Sequence, residues 1–175
     1  VVATGATPYM PTFENDDLPG VYTAGVFQKM MNQERTLMGR KILTIGAGNI
    51  GYLTSYQALQ AGAEVKAIVE YADHEGGFPV QANRVRRMGV PILTGRTLLK
   101  AVPTADGNGV CAAVIGRVVD GHYKPGTEER IEDIDMINIC TGLISDDRLM
   151  TKARNVFGLK AFGAGDAMRI GEGTS

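Results

Sequence analysis

A glycine pattern in the first third of the chain places the strongest constraint on its fold. The sequence Gly46-Ala-Gly48-Asn-Ile-Gly51 matches G-x-G-x-x-G, and it stands between an apolar run at 41–45 and a segment with helical periodicity. In such a unit the first glycine makes the tight turn, the second lets a diphosphate approach, and the third lets the helix pack closely on the sheet. The diphosphate then meets the N–H groups that open the helix, at Asn49 and Ile50.

A second strand and an acidic residue complete this pattern. Apolar residues recur at helical spacing over 49–61, Gly62 suits a helix end, and a buried strand is predicted at 65–69. Glu70 follows that strand, 24 positions after Gly46, near the roughly 20-residue spacing of a ribose-binding carboxylate. A carboxylate there accepts hydrogen bonds from ribose hydroxyls and repels a 2′-phosphate. The sequence therefore predicts an NAD(H) site.

Basic residues leave one alternative open at this site. Arg84, Arg86 and Arg87 form a cluster that could serve NADP(H), although a solvated helix face is the simpler interpretation.

Composition excludes several classes of partner. The chain has 175 residues, of which 44% are apolar and 21% charged, and its net charge is −1. Without a basic tract or interleaved aromatic residues, nucleic acid is not expected as a partner. No apolar run approaches the roughly 20 residues that span a bilayer, so no membrane partner is expected and a cytoplasmic location is predicted.

The sequence offers no catalytic pair and no metal site. Cys111 and Cys140 have neither C-x-x-C nor metal-ligand spacing, and both lie in apolar runs that predict buried, inert thiols. His74 and His122 are expected on surface loops without partners.

The remaining segments alternate between helical and extended patterns. We expect a connector at 8–20, a strand at 21–23, a helix that continues to Leu37, a helix at 76–88 and a strand at 90–93. Turn signals at 106–109 and 120–121 separate segments at 97–102, 110–119 and 129–140, which predicts an antiparallel meander on the parallel sheet. A buried strand then returns at 135–142, and a last strand is expected at 160–163. The opening of the chain reads as a strand entered midway, so a piece of a longer protein is expected.

Three short strands that end in glycine stand beside the nucleotide motif: Ala3-Thr-Gly5, Cys140-Thr-Gly142 and Ala164-Gly-Asp166. In this order they resemble the two-dinucleotide flavoproteins of the pyridine nucleotide-disulfide oxidoreductase-like superfamily. Segments 18–25 and 39–41 are most similar to the FAD-dependent amine- and opine-oxidising branch, which includes sarcosine oxidase α subunits. The resemblance implies an α/β fold: a three-layer Rossmann-like parallel sheet with an antiparallel β-meander, flanked by short strands of a missing FAD domain.

The resemblance also implies roles for particular residues. Thr4 and Gly5 match the turn that passes near FAD, and Gly165 and Asp166 match the segment whose carboxylate binds a flavin ribityl hydroxyl. Thr141 and Gly142 match the loop beside the bound nicotinamide. In such proteins a hydride moves between nicotinamide and flavin, so the implied cofactors are NAD(H) and, in the full-length protein, FAD.

The same resemblance implies a division of the chain into three parts. Residues 1–23 would end a first FAD-domain segment, 24–145 would form the NAD(H) domain, and 146–175 would return to the FAD domain. The implied partners are a small-molecule substrate and the missing FAD-domain segments, and oligomerisation is left open.

Two departures from the family pattern limit what the chain can do alone. It has a single G-x-G-x-x-G motif, whereas an FAD domain needs its own, and the segment at 22–40 contains no C-x-x-C. The isolated chain is therefore expected to hold FAD weakly and to perform no dithiol chemistry. Three alternatives stay open: a non-catalytic nucleotide-sensing Rossmann module, a methyltransferase and a stand-alone dehydrogenase.

Overall fold

The structure, a computed structural model, describes residues 1–170. Its helices are α1 (Ala24–Asn32), α2 (Asn49–Gln60), α3 (Pro79–Arg87) and α4 (Arg148–Asn155), and a 3-10 turn follows at Gly165–Ala167. Its strands are β1 (Ala6–Pro8), β2 (Val21–Thr23), β3 (Lys41–Ile45), β4 (Glu64–Val69), β5 (Ile92–Leu93), β6 (Arg96–Pro103), β7 (Val110–Val119), β8 (His122–Tyr123), β9 (Glu129–Glu132), β10 (Met136–Ile139) and β11 (Leu143–Ser145). Among these residues no helix is long and apolar enough to cross a bilayer.

A five-stranded parallel sheet forms the centre of the molecule. Its strand order is β2-β10-β3-β4-β5, and every neighbouring pair is parallel. The predicted strand–turn–helix–strand unit is therefore confirmed as β3–α2–β4. Strands β3, β4 and β10 consist of nearly continuous apolar residues because both faces of this sheet are covered.

The helices cover one face of the parallel sheet. Side chains that alternate along the strands, Ile42, Ile68 and Met136, pack against Phe27 of α1 and Tyr52 of α2, and all five are nearly or fully buried. Helix α3 adds Ala82 and Val85 to the same cluster.

An antiparallel sheet covers the opposite face. Strand β7 pairs with β6, β8 and β9, and all three pairs are antiparallel. The other alternating set from the parallel sheet, which includes Leu43, Val69 and Ile137, packs against Leu98 of β6 and Ile115 of β7. The three layers are thus helices, parallel sheet and meander, as the expected fold class requires.

A separate two-stranded ribbon lies outside the parallel sheet and the meander. Strand β1 pairs antiparallel with β11, and Val2 forms a parallel bridge with Gly163. These contacts place the two ends of the described chain side by side. We expected strands near the N-terminus and at 160–163, but the described part of the chain has only this single bridge between the two segments.

Several predicted boundaries were wrong. The segment at 129–140 is two strands, because Asp133 adopts a left-handed conformation (φ 59°) and the Asp135 carboxylate accepts hydrogen bonds from the Arg40 and Lys41 amides. Helix α1 ends at Asn32, so Leu37 lies beyond it. Helix α3 starts at Pro79, not at 76, since proline suits a first helical position.

The three domain limits given above stay a prediction. Strand β2 lies inside the parallel sheet, directly before the limit proposed between 23 and 24.

Candidate dinucleotide-binding site

The glycine turn after β3 is required by close backbone packing. Gly46 has φ 107°, and its N–H donates to the carbonyl oxygen of Val69 at 2.7 Å. A Cβ at Gly46 would overlap the carbonyl oxygen of Cys140, and a Cβ at Gly51 would overlap that of Gly46. These two glycines therefore bring α2 against β3 and β10, which agrees with the roles expected for the first and third motif positions.

Gly48 has no such conformational requirement. It precedes α2 as the N-cap residue with φ −87° and ψ −178°, an extended conformation that any residue can adopt. It also lines a cavity of about 650 Å³. Its lack of a side chain therefore leaves space beside the amino end of α2, as a diphosphate requires.

Glu70 stands at the carboxyl end of β4, as predicted, and its carboxylate is engaged with the backbone. One oxygen accepts a hydrogen bond from the Ala47 amide at 2.6 Å and the other accepts one from the Ala72 amide at 2.9 Å. The side chain is half-buried and lines the cavity. Each carboxylate oxygen keeps a further acceptor position, because an ionised carboxylate offers about four.

A cavity of about 650 Å³ opens at the carboxyl ends of β3, β4 and β10. It is lined by five of the predicted site residues: Gly46, Gly48, Glu70, Thr141 and Gly142. Its other walls come from Tyr9, Pro11, Thr12, Ile45, Tyr71, Ala72, His74, Gly76, Gly77, Arg96, Thr97, Leu98 and Cys140. Ligands of open parallel sheets bind at this edge.

Most of these further lining residues come from segments in which the sequence shows no binding motif. Tyr9, Pro11 and Thr12 belong to the connector, and Arg96 begins the meander. The pair Gly76-Gly77, shortly after Glu70, is the one sequence signal that could have identified another wall.

A second cavity, of about 240 Å³, also lies near the N-terminus of α2. It shares Cys140 and Gly142 with the larger cavity and is also lined by Ile50 and Asp166. Its remaining walls are Pro8, Ala24, Gly25, Gln28, Ile139 and Leu143. Gly142, predicted beside the nicotinamide, and Asp166, predicted beside the flavin, therefore line the same cavity.

Thr4 and Gly5 lie in the ribbon, outside both cavities. The Thr4 hydroxyl donates to the Asp146 carbonyl oxygen at 2.5 Å, and the Gly5 carbonyl oxygen accepts from the Asp146 amide at 3.0 Å. Gly165 precedes Asp166 in the 3-10 turn. The bridge between Val2 and Gly163 brings these four predicted residues to the same end of the molecule.

The return loop predicted at 165–175 is described only in part. Its residues 171–175 lie outside the described residues.

A buried polar cluster links α2 to β10. The Asn138 amide donates to the Thr54 hydroxyl at 2.9 Å, and that hydroxyl donates to the Ile50 carbonyl oxygen at 2.8 Å. The Thr54 hydroxyl also lies 3.6 Å from the Cys140 sulfur. Burial raises the pKa of the Cys140 thiol to about 12, so this thiol stays protonated near neutral pH. Both cysteines are half-buried residues, although full burial was expected.

The two histidines have partners, contrary to expectation. His74 lines the larger cavity and its Nδ1 lies 2.7 Å from the Asp73 carboxylate. His122 starts β8, and its Nδ1 lies 2.9 Å from the Asp120 carbonyl oxygen. Within residues 1–170 no group of His, Cys, Asp and Glu side chains could hold a metal ion.

Two of the three arginines in the α3 cluster, Arg84 and Arg86, have partners outside the larger cavity. Arg84 lies over the Tyr56 ring, 5.8 Å from its centroid, and donates to the Gln81 side chain at 3.1 Å. Arg86 forms an ion pair with Glu75. Neither arginine lines the larger cavity, whereas Arg96 does and is paired there with Glu129 at 3.2 Å.

Comparison with known proteins assigns the chain to a family. A family model described as "Pyridine nucleotide-disulphide oxidoreductase" matches residues 1–162. This chain belongs to that family. Its members are oxidoreductases that use FAD and NAD(P)H, so the expected class of cofactor is confirmed.

A curated relative confirms the resemblance to the amine-oxidising branch. The chain is 29% identical over 142 residues to the sarcosine oxidase subunit alpha of Corynebacterium sp. (strain U-96). The match covers 81% of this chain and 14% of that subunit, so the chain spans a small part of its relative.

Solved structures of the family share the fold. An NAD-dependent persulfide reductase from A. fulgidus is 27% identical, with a TM-score of 0.64 over 90% of this chain and 28% of that one. Thioredoxin reductase from Lactococcus lactis is 16% identical, with a TM-score of 0.70 over 97% of this chain and 57% of that one. The second similarity is one of fold alone.

Proposed function

We propose that this chain is the NAD(H)-binding domain of an FAD-dependent oxidoreductase. One observation carries the proposal: two cavities near the amino end of α2 share Cys140 and Gly142 as lining residues. The larger contains Glu70, and the smaller reaches Asp166. A dinucleotide laid across both would place its adenosine half beside Glu70 and its nicotinamide half toward Asp166.

Glu70 performs two tasks in this proposal. Its hydrogen bonds to the Ala47 and Ala72 amides hold the glycine turn against the start of the loop after β4. Its remaining acceptor positions receive the ribose hydroxyls, and its negative charge disfavours a 2′-phosphate. NAD(H) is therefore the proposed nucleotide, because Arg84 and Arg86 are engaged outside the cavity and Arg96 is already paired with Glu129.

The smaller cavity provides the proposed contact with a flavin. Asp166 would accept a hydrogen bond from a ribityl hydroxyl, while Thr4, Gly5 and Gly165 supply backbone at the same end of the molecule. The flavin, when bound, exchanges hydride with the nicotinamide. The described residues bind and orient, and none of them has to act as an acid, a base or a nucleophile.

The test is isothermal titration of the 175-residue chain with NADH, NADPH, FAD and S-adenosylmethionine. We expect NADH to bind more tightly than NADPH, and FAD to bind weakly because the chain has one glycine motif. Binding of S-adenosylmethionine without NADH, or of neither nucleotide, would contradict the proposal.

A further titration addresses the flavin contact. In a chain that also contains the FAD-binding segments, Asp166→Asn should weaken FAD binding and leave NADH binding unchanged. Equal FAD affinity in that variant would exclude Asp166 from the flavin contact.

A further inference from the structure

A four-residue segment, Glu75–Phe78, lies across the amino end of α2; we call it the 75–78 strap. A Cβ at Gly77 would lie 2.8 Å from the backbone nitrogen of Asn49 and 2.8 Å from its side-chain oxygen. A Cβ at Gly76 would lie 3.3 Å from the Ala47 carbonyl oxygen. The strap therefore approaches the glycine turn through two residues that lack side chains.

The strap is held at both of its ends. At its carboxyl end the Phe78 amide donates to the Asn49 side-chain oxygen at 2.7 Å, and Asn49 is only 5% exposed. At its amino end Glu75 forms an ion pair with Arg86 of α3 and accepts a 3.5 Å hydrogen bond from the Tyr52 hydroxyl of α2. These contacts keep Gly76 and Gly77 in place between two helices.

The strap and the glycine turn line the same cavity. Gly46 and Gly48 belong to one wall, and Gly76 and Gly77 belong to another. All four contribute backbone only, so the space beside the amino end of α2 contains no side chain from either segment. Such a space suits a diphosphate, which needs close approach to backbone N–H groups.

We propose that the 75–78 strap is the second wall of the diphosphate site and that Asn49 is the positioning residue that fixes it there. This inference rests on the proposed function, because it concerns the same site. Its new content is that nucleotide affinity depends on a contact between the motif's fourth residue and the loop after Glu70.

The amide side chain suits this task. Its oxygen accepts the Phe78 N–H as a carboxylate would, but without a negative charge beside the phosphates. Asn49→Asp therefore keeps the strap in place and repels the ligand, whereas Asn49→Ala releases the strap. The two variants separate the strap's position from the charge at the site.

The first test compares Gly77→Ala with Gly107→Ala. Both glycines have left-handed backbone, with φ 69° and 72°, but Gly107 has open space around its Cβ position. The control therefore contains the same backbone strain without the contact to Asn49. Calorimetry with ADP and AMP should show the preference for ADP over AMP reduced about tenfold or more in Gly77→Ala only.

The second test keeps the proposal falsifiable if Gly77→Ala does not fold. In Asn49→Ala, exchange of the Phe78 amide hydrogen should accelerate about tenfold, and ADP should bind about 3- to 10-fold more weakly, as expected for one lost hydrogen bond. In Asn49→Asp the Phe78 amide should stay protected while ADP binding still falls.

Two outcomes would overturn the inference. The first is a wild type that binds NADH while Gly77→Ala and Asn49→Ala keep an unchanged preference for ADP. The strap would then not be a wall of the diphosphate site, and the proposed function would stand. If the wild type bound neither ADP nor NADH, both the strap inference and the proposed function would be wrong.

Discussion

The carboxylate of Glu70 accepts a hydrogen bond from the backbone amide of Ala47 at 2.6 Å, across 23 positions of sequence. This contact joins the carboxyl end of β4 to the glycine turn that follows β3. The acid that is proposed to bind ribose therefore also stabilises the turn that is proposed to bind the diphosphate. Mutations at Glu70 should affect both stability and nucleotide choice.

Glu70→Arg should shift nucleotide preference from NADH toward NADPH, because it replaces the charge that repels a 2′-phosphate with one that attracts it. It should also lower the free energy of unfolding by about 2 kcal/mol or more, since hydrogen bonds to a charged acceptor contribute about 1.5–3 kcal/mol each. Glu70→Ala is the control: it should lose similar stability without gaining NADPH affinity. Calorimetry and urea unfolding measure the two effects, and an unchanged preference in Glu70→Arg would exclude Glu70 from the ribose site.

Gly48→Val should abolish NADH binding and leave thermal stability nearly intact. The backbone of Gly48 is extended, with φ −87°, so a branched side chain is allowed there. Binding should nevertheless be lost, because the residue lines the cavity beside the amino end of α2. Thermal unfolding with and without NADH tests this directly. A variant that failed to fold would instead give Gly48 a structural role.

Gly51→Ala should destabilise the fold even though the residue lies inside a helix. Its Cβ would overlap the Gly46 carbonyl oxygen, and overpacking against backbone costs about 1–3 kcal/mol. Gly25→Ala in α1 is the matched control, since nothing lies within 4 Å of its Cβ position. Removing a helical glycine there should stabilise the chain by up to about 1 kcal/mol. Similar denaturation midpoints for the two variants would contradict the packing argument.

Cys140→Ser should make the free energy of unfolding fall less steeply as pH rises above about 9. The folded thiol has a pKa of about 12, raised by burial from an ordinary 9.0, whereas the unfolded thiol ionises at the ordinary value. Below about pH 9 the thiol is protonated in both states and has no effect. As pH rises from 9 toward 12, the unfolded state releases this proton first, which lowers stability by about 1.4 kcal/mol per pH unit.

Urea unfolding between pH 8 and pH 11 compares the two proteins. Wild type and Cys140→Ser should keep a constant difference up to about pH 9, and the wild type should then lose stability more steeply. Parallel curves throughout would show that Cys140 does not titrate differently on unfolding.

Local patterns were sufficient for the elements that are apolar and regular. The unit β3–α2–β4 follows from continuous apolar strands and a glycine motif, and β7 appears at its predicted limits. Boundaries that depend on distant contacts were wrong. The break between β9 and β10 depends on the Asp135 carboxylate, whose partners Arg40 and Lys41 lie more than 90 positions away.

The candidate site divides in the same way. Gly46, Gly51 and Glu70 were identifiable because their spacing reflects the geometry of a single β-turn-α-β unit. Tyr9 and Arg96 were missed as walls of the cavity, because their segments reach it only when the connector and the meander fold over the sheet. The Gly76-Gly77 pair lies in the loop after β4 and was missed although its glycines were a local signal. The partners of His74 and the arginines of α3 were hidden for a related reason, since side-chain pairing depends on rotamers and not on spacing.

The amino-acid order by itself determined the β3–α2–β4 unit, its glycine turn and the acid that follows β4, because all of them lie within residues 41–70. The tertiary structure alone decided that Glu70 holds the turn it faces and that Asn49 fixes the strap. It also decided that two cavities share Cys140 and Gly142 as lining residues. Residue spacing does not predict these contacts, even between positions 23 and 29 apart, because they depend on how side chains and loops pack against the glycine turn.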